Sequence, residues 1–420
     1  MHHFHYKKNE LYCEDVPIAS IAKRVGTPFY VYSHATLKQH FDAFDGAFSD
    51  VKHLTCYSMK SNSNKALLAL FAGQGGGVDI VSGGELYRAL NAGVDPGKIV
   101  FSGVGKSLQD LEYAVSSQIL MFNVESPQEL LKLNDVALRS GQKARISIRV
   151  NPDVDPKTHP YISTGLKENK FGIGVEEALG QYEKATTLDG LDVVGVSCHI
   201  GSQLTQTSPF VDALRKLKEL ISQLKGMNIS IRYLDLGGGL GITYDREMPP
   251  QPSEYAQDIK SELASTDWTL ILEPGRVIVG NAGALITKML YAKTSDEKNF
   301  FVVDAAMNDL MRPSLYDAKH NIVAVIEPNE GANLERVDVV GPVCETGDTF
   351  ATELDLPSAE AGDLLAIRSA GAYGAVMAST YNSRALIPEV LVKDNAYSIV
   401  RERIAPDTLI KYENLPNWDS

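Results

Sequence analysis

Between residues 54 and 273 the chain repeats one pattern: a short apolar run rich in β-branched residues, then a longer stretch of mixed polarity. The runs lie at 54–57, 78–81, 99–101, 120–123, 146–150, 193–198, 231–236 and 270–272. Continuous apolar runs of this length, without alternation, read as strands buried on both faces of a parallel sheet. The stretches between them at 64–72, 84–92, 127–138 and 210–224 carry helical spacing. Eight alternations in about 220 residues fit a (β/α)8 barrel, for which roughly 250 residues is usual, with a doubly wound open sheet as the competing architecture.

Beyond residue 281 the pattern changes. Runs at 285–291, 300–303, 322–326, 337–343, 364–367 and 389–392 follow one another without intervening helices, as in an antiparallel barrel or sandwich. The early run Phe29-Tyr-Val-Tyr32 has the same character. The expected organisation is therefore a barrel over 31–281 and a discontinuous, mainly antiparallel β domain built from 1–30 and 282–420. Two domains also suit a chain of 420 residues, longer than one core usually supports.

Charge narrows the range of functions. A net charge of −13 disfavours a nucleic-acid partner, because phosphate backbones reward clustered Lys and Arg. No apolar run approaches the ~20 residues that span a bilayer, and the polar start Met1-His-His-Phe-His-Tyr6 lacks a secretory core, so the expectation is a cytoplasmic protein without a membrane partner. The four cysteines, Cys13, Cys56, Cys198 and Cys344, have neither disulfide nor metal-ligand spacing.

Candidate chemistry gathers at the carboxyl ends of the predicted strands, where barrel enzymes build their sites. Lys60 follows the first run. Cys198-His-Ile-Gly-Ser202 ends the sixth, Gly237-Gly-Gly-Leu-Gly241 follows the seventh, and Glu273-Pro-Gly-Arg276 ends the eighth. Singly, each has a bland reading: a solvated lysine, a core histidine, a flexible turn, a surface ion pair. Together they supply an amine for an imine, a flat ring for stacking at His199, bare backbone at Gly238 and Gly239 for a phosphate, and a carboxylate at Glu273 for a pyridine nitrogen. Pyridoxal 5'-phosphate asks for all four. In the β domain, Arg312 suits bidentate carboxylate binding, and Cys344 with Glu345 pairs a proton donor with an acceptor for an ammonium group.

The segments Tyr57-Ser-Met-Lys60-Ser-Asn62, His159-Pro-Tyr-Ile-Ser-Thr-Gly165 with Lys170-Phe-Gly172, Glu273-Pro-Gly-Arg276, Arg312-Pro-Ser-Leu-Tyr316 and Gly341-Pro-Val-Cys-Glu345 resemble the diaminopimelate decarboxylases, fold-type III pyridoxal-phosphate enzymes. The likeness runs from about Leu11 to Val392. It implies an alanine-racemase-like barrel with a β domain, and conversion of meso-2,6-diaminopimelate to L-lysine and carbon dioxide as the last step of lysine synthesis. Carried over by motif, Lys60 holds the cofactor, His199 stacks on it, and Glu273 meets its ring nitrogen. Ser202, Gly239, the Gly275-Arg276 turn and Tyr373 hold the phosphate, with Asp79 and Arg149 in support. Arg276, Arg312, Tyr316, Glu345 and Tyr373 bind substrate. Cys344 and Glu345 arrive from the partner subunit of a homodimer, and either Cys344 or Lys60 reprotonates the product. The segment from His159 to Phe171 is expected to close over the substrate. Rival readings are a related decarboxylase acting on carboxynorspermidine, ornithine or arginine, and a non-catalytic binding or regulatory homologue.

Overall fold

The computed structural model describes residues 3–155, 170–263, 267–328 and 331–418. The chain forms two compact units, one of Lys38–Val279 and one of Met1–Leu37 with Gly280–Ser420. The strand Phe29–Ser33, and with it Val31, therefore belongs to the second unit.

In the first unit, eight parallel strands close on themselves: His53–Ser58, Gly77–Ile80, Ile99–Phe101, Met121–Val124, Ala144–Asn151, Leu191–Ser197, Tyr233–Asp235 and Thr269–Leu272. Each pairs with its successor in the chain, and the last pairs with the first through Leu270–His53, Ile271–Leu54 and Leu272–Thr55. That closure excludes the open sheet. Helices fill the connections, and their starts follow from local chemistry: Asn64, Ser82, Ser107 and Ser126 each accept a main-chain N–H at a helix entry, where the first turn leaves donors without internal partners.

Strand alternation sorts the barrel interior. Cys56, Val100, Met121, Val194 and Ile271 make an apolar cluster with Leu54 and Tyr233 packed against it. Two residues further along five of those strands or their ends stand Ser58, Ser102, Asn123, Asp235 and Glu273, all buried. A period of two puts them on the same inward side, one layer nearer the carboxyl ends.

The second unit is a mainly antiparallel sheet system centred on the long strand Gly283–Thr294, which pairs antiparallel with Phe29–Ser33, Asn299–Val303 and Leu364–Ile367. Two pairings are parallel: Phe29–Ser33 with Glu389–Lys393, and Asn299–Val303 with Leu334–Val340. Phe29, Val31, Ala284, Ile286, Val390 and Val392 form its core with Phe4, Leu11 and Ile21 from the N-terminal segment. That segment is a small meander, Phe4–Lys7, Glu10–Cys13 and Val16–Pro17, leading into the helix Ile18–Val25. Among the described residues no helix is long and apolar enough to cross a membrane. All four cysteines are free, and only Cys344 is exposed.

A candidate active site at the carboxyl ends of the barrel strands

Lys60 sits in a single 3-10 turn directly after the first strand. Its Nζ donates to Asp79 Oδ2 at 2.8 Å, and Ser58 Oγ donates to the same oxygen at 2.8 Å. Asp79 is fully buried whereas the Lys60 side chain is 32% exposed, so the amine is anchored from below and open above. The other carboxylate oxygen, Asp79 Oδ1, is buried without a hydrogen-bond partner.

His199 follows the sixth strand. Gly238 N–H donates to its Nδ1 at 3.2 Å, which leaves the ring hydrogen on Nε2. Burial, followed by the charges of Lys60 and Arg149, holds the ring well below the ordinary histidine range. It is a neutral plate, not a base. Arg149 is itself held by Glu125 Oε1 at 2.9 Å, stands 4.9 Å over the Phe171 ring, and donates to the His199 carbonyl at 3.4 Å.

The glycine run after the seventh strand depends on bare backbone. A Cβ on Gly238 would lie 2.0 Å from the Glu273 carbonyl oxygen, and one on Gly239, at φ +123°, would lie 2.4 Å from that of Gly201. Only glycine lets these segments approach so closely. Arg276, buried at the start of the short helix Arg276–Val279, reaches Ser202 Oγ at 3.0 Å and Tyr244 OH at 2.7 Å. Gly275 packs on Ser58 and Ser61, at 3.1 Å from a would-be Cβ. Ser202, Gly238, Gly239, Gly275 and Arg276 thus stand with Lys60, Asp79, His199 and Glu273 at one end of one barrel.

Glu273 is buried and hydrogen-bonds side chain to side chain with Asp235, while its N–H and hydroxyl donors are distant: Ser102 Oγ at 3.4 Å and Asn123 Nδ2 at 3.5 Å, both to Oε1. Beside it, Asp235 accepts from Gly237 N–H at 2.9 Å through Oδ1 and from Asn123 Nδ2 at 2.9 Å through Oδ2. Burial first, then the charges of Asp235 and Asp79, push the Glu273 carboxyl well above the usual carboxylate range. Burial also pushes Asp235 up, to about 6, against the hydrogen bonds from Gly237 and Asn123 that favour its charged form.

Asp235, Asn123, Ser102, Ser147, Glu125 and Tyr244 escaped the reading of the sequence. A signal existed for some of them: Asp235 lies between Leu234 and Leu236, and Asn123 between Phe122 and Val124, polar residues inside buried strands. Such residues need partners, and the partners are other chemistry.

The second unit gathers its own candidates. Arg312, buried at the start of Arg312–Tyr316, bonds His320 Nε2 at 2.9 Å, while His320 Nδ1 bonds the Arg368 carbonyl at 2.9 Å. Cys344 and Glu345 are exposed on a turn that Asp348 staples, accepting Met307 N–H at 2.6 Å and Val343 N–H at 2.7 Å. Tyr381 OH donates to Glu345, and Asn382 Nδ2 lies 3.3 Å from Cys344 Sγ. Tyr373 takes the left-handed conformation at φ 54°, beside Gly374, whose missing Cβ leaves room for Tyr30 OH. Tyr316 ends the short helix that Arg312 begins. The segment from His159 to Gly165 lies outside the described residues, as do its neighbours through 169.

The barrel residues fit pyridoxal 5'-phosphate. An accessible lysine amine backed by a buried carboxylate, a neutral ring plate, a glycine cradle that any Cβ would fill, and a buried carboxyl pushed well above the usual carboxylate range are complementary to its aldehyde, ring face, phosphate and nitrogen. The family model described as "Pyridoxal-dependent decarboxylase, pyridoxal binding domain" matches residues 34–280, which sets the barrel in that class of cofactor enzyme. Diaminopimelate decarboxylase of Pseudomonas aeruginosa is 52% identical over 412 residues, covering 98% of this chain and 99% of that protein. The crystal structure of the Helicobacter pylori diaminopimelate decarboxylase complexed with L-lysine superimposes at TM-score 0.91, with 46% identity over 94% of this chain and 98% of that one. The M. jannaschii enzyme in co-complex with L-lysine gives 0.94, with 37% identity over 99% and 98%. The chain belongs to the diaminopimelate decarboxylase family.

Proposed function

We propose that this chain converts meso-2,6-diaminopimelate to L-lysine and carbon dioxide, with pyridoxal 5'-phosphate as its cofactor. The observation that carries this reading is the likeness to diaminopimelate decarboxylases over nearly the whole length, on a barrel whose Lys60 amine stands on Asp79. When bound, the cofactor supplies an electron-withdrawing ring that accepts the electron pair left as a carboxylate departs as carbon dioxide.

The chain's residues would do the rest. Lys60 Nζ would hold the aldehyde carbon, with Asp79 fixing the amine in place. Glu273 would hold a proton at the ring nitrogen and so strengthen the electron sink. His199, neutral and pinned through Nδ1, would cover one ring face. Ser202, the Gly238 and Gly239 backbone, the Gly275-Arg276 turn and Tyr373 would hold the phosphate. Arg276, Arg312 and Tyr316 would bind substrate carboxylates and Glu345 the distal ammonium, a combination that suits diaminopimelate better than ornithine, which has no distal carboxylate. Cys344 Sγ or Lys60 Nζ would carry the proton returned to the α-carbon. Cys344 and Glu345 would act across a two-fold homodimer on the site of the partner subunit, and a biosynthetic enzyme of this kind would work in the cytoplasm.

A carbon dioxide release assay comparing meso-diaminopimelate, ornithine, arginine and carboxynorspermidine, with cofactor supplied, tests the assignment. Release from meso-diaminopimelate alone, with lysine as product, is expected. Preferential release from another substrate would reassign the activity, and release from none would leave a non-catalytic homologue.

A further inference from the structure

Barrels of this type usually fill their interior layers with branched apolar side chains. Here the layer nearest the carboxyl ends is polar on every strand or strand end: Ser58, Asp79, Ser102, Asn123, Ser147, Ser197, Asp235 and Glu273, in chain order, all buried. A hydrogen-bond chain runs across it. Ser147 Oγ contacts Ser197 Oγ at 2.8 Å and donates to Asn123 Oδ1 at 2.6 Å. Asn123 Nδ2 in turn reaches Ser102 Oγ at 3.0 Å, Asp235 Oδ2 at 2.9 Å and Glu273 Oε1 at 3.5 Å.

We propose that Asp235 is a positioning residue of the decarboxylase: anchored by Gly237 N–H and Asn123, it stands behind Glu273 and keeps a proton on that carboxyl. Glu273 then meets the cofactor's ring nitrogen already carrying the proton the nitrogen needs. This rests on the reading above in which Glu273 faces that nitrogen.

The asymmetry between the two carboxyls follows from their donors. Both oxygens of Asp235 accept well-placed N–H groups at 2.9 Å, which favours its ionised form. Glu273 has N–H and hydroxyl contacts only at 3.4 and 3.5 Å, too long to solvate a charge buried in the barrel. Its remaining side-chain hydrogen bond is to Asp235, a carboxyl–carboxylate bond that itself needs one proton. Among the described residues no cation is hydrogen-bonded to either. Lys60, whose opposite charge acts on Glu273, is tied to Asp79 at 2.8 Å. The other groups acting on the pair do not reverse this. Asp79, on the second strand, repels further ionisation of Glu273, while Cys56, Cys198 and Tyr255 are held neutral by burial. One proton therefore belongs to the pair, and it resides on Glu273.

Were that proton passed to a bound ring nitrogen, Glu273 would become a carboxylate and the proton count would be unchanged. The negative charge of Asp235 would raise the proton affinity of the Glu273–nitrogen couple as a whole, and so would help keep a bound ring nitrogen protonated. Asp235 also fixes where Glu273 points, because Asn123 binds both.

Asp235→Asn tests this, since an amide oxygen can still accept from Gly237 N–H while the charge is lost. In the cofactor-loaded enzyme, isotope-labelled pyridine nitrogen is observed by solid-state nuclear magnetic resonance, with kcat and KM measured alongside. The wild-type nitrogen is expected to be protonated. In Asp235→Asn its resonance moves toward the unprotonated position, and kcat falls roughly ten- to a hundredfold, the range for losing an outer partner of a reactive group, with KM little changed. Glu273→Gln moves the resonance further. If Glu273→Gln moves it and Asp235→Asn does not, the role of Asp235 is refuted and that of Glu273 stands; if neither moves it, the placement of Glu273 at the nitrogen fails. Should Asp235→Asn not fold, the cofactor-free full chain at neutral pH decides by infrared spectroscopy. A protonated-carboxyl band in the wild-type-minus-Glu273→Gln difference spectrum, where the raised carboxyls of Glu85 and Glu129 are common to both proteins and cancel, supports the shared proton. A difference spectrum without such a band overturns it.

Discussion

Gly238→Ala isolates how tightly the cradle is built. The new Cβ would stand 2.0 Å from the Glu273 carbonyl oxygen and 2.9 Å from its carbon. Both are backbone atoms, so no rotamer change relieves them. An ordinary carbon–oxygen contact begins at roughly 3.3 Å, so the glycine turn and the end of the eighth strand must part by about 1.3 Å. The strand end resists, because Glu273 N–H donates to the Gly237 carbonyl at 2.8 Å. Displacements of about 1 Å at reacting groups cost on the order of a hundredfold in rate, equivalent to about 2.7 kcal/mol of barrier. Overpacking of this kind also costs about 1–3 kcal/mol of stability, which lowers the unfolding midpoint by several degrees. Gly180→Ala is the control: that glycine is exposed inside the helix Val175–Thr186, with nothing within 4 Å of a new Cβ. It should gain about 0.5–1 kcal/mol without touching activity. Calorimetry and carbon dioxide release on the two variants check both halves. Wild-type turnover and midpoint in Gly238→Ala would refute the claim that close main-chain approach builds the site.

Three further outcomes are expected. Lys60→Ala loses the yellow absorbance of the lysine-bound cofactor, and borohydride no longer fixes cofactor to the protein; persistence of either assigns the attachment to another lysine. Lys60→Ala and Glu345→Ala, each nearly inactive alone, regain about a quarter of wild-type activity when co-expressed, because about half the dimers are mixed and half the sites in those are intact; mixed dimers verified by mass but still inactive would place Glu345 in its own chain's site. Glu85, whose carboxyl burial and the charge of Asp79 push up to about 7, accepts Val81 N–H at 2.6 Å, a bond glutamine can keep. A raised carboxyl stabilises the fold fully below its unfolded pKa of about 4.5 and loses that contribution as pH rises through about 7. Glu85→Gln should therefore match wild type in unfolding midpoint near pH 4 and exceed it increasingly up to about pH 8; equal midpoints throughout would show that Glu85 is not held in the folded state as inferred.

The eight barrel strands were legible because parallel strands covered on both faces leave continuous apolar runs, which no surface element mimics at that spacing. Lys60, His199 and Glu273 were legible because they end such runs. What escaped had weaker local signatures. The strand Thr349–Pro357 buries only Phe350 and Leu356 and carries Glu353 and Asp355, and so lacks a continuous buried stripe. The expected strand at 337–343 proves to be Leu334–Val340, stopping where the Asp348 carboxylate packs against Gly341 in place of a side chain. The helices Ile18–Val25 and His34–Gly46 went unassigned, although Ile18 and Ile21 pack one face of the first into the core. The parallel pairing of Phe29–Ser33 with Glu389–Lys393 joins segments hundreds of residues apart, and no local periodicity encodes such a partner.

The polar layer was the least legible feature and carries the most chemistry. A barrel built for stability alone would place Val, Ile or Leu where Asp79, Asn123, Asp235 and Glu273 stand, since buried polar groups cost free energy unless fully bonded. They are not fully bonded here: Asp79 Oδ1 lacks a partner, and apart from its bond to Asp235 Glu273 has only long contacts. The apolar layer beneath, with Val100, Met121 and Ile271, leaves the closed sheet intact. The fold thus separates its tasks along five of its strands, one inward residue for packing and the next for chemistry two positions on. The unfilled hydrogen-bonding capacity at the top is what a ligand with a cationic ring nitrogen can complete.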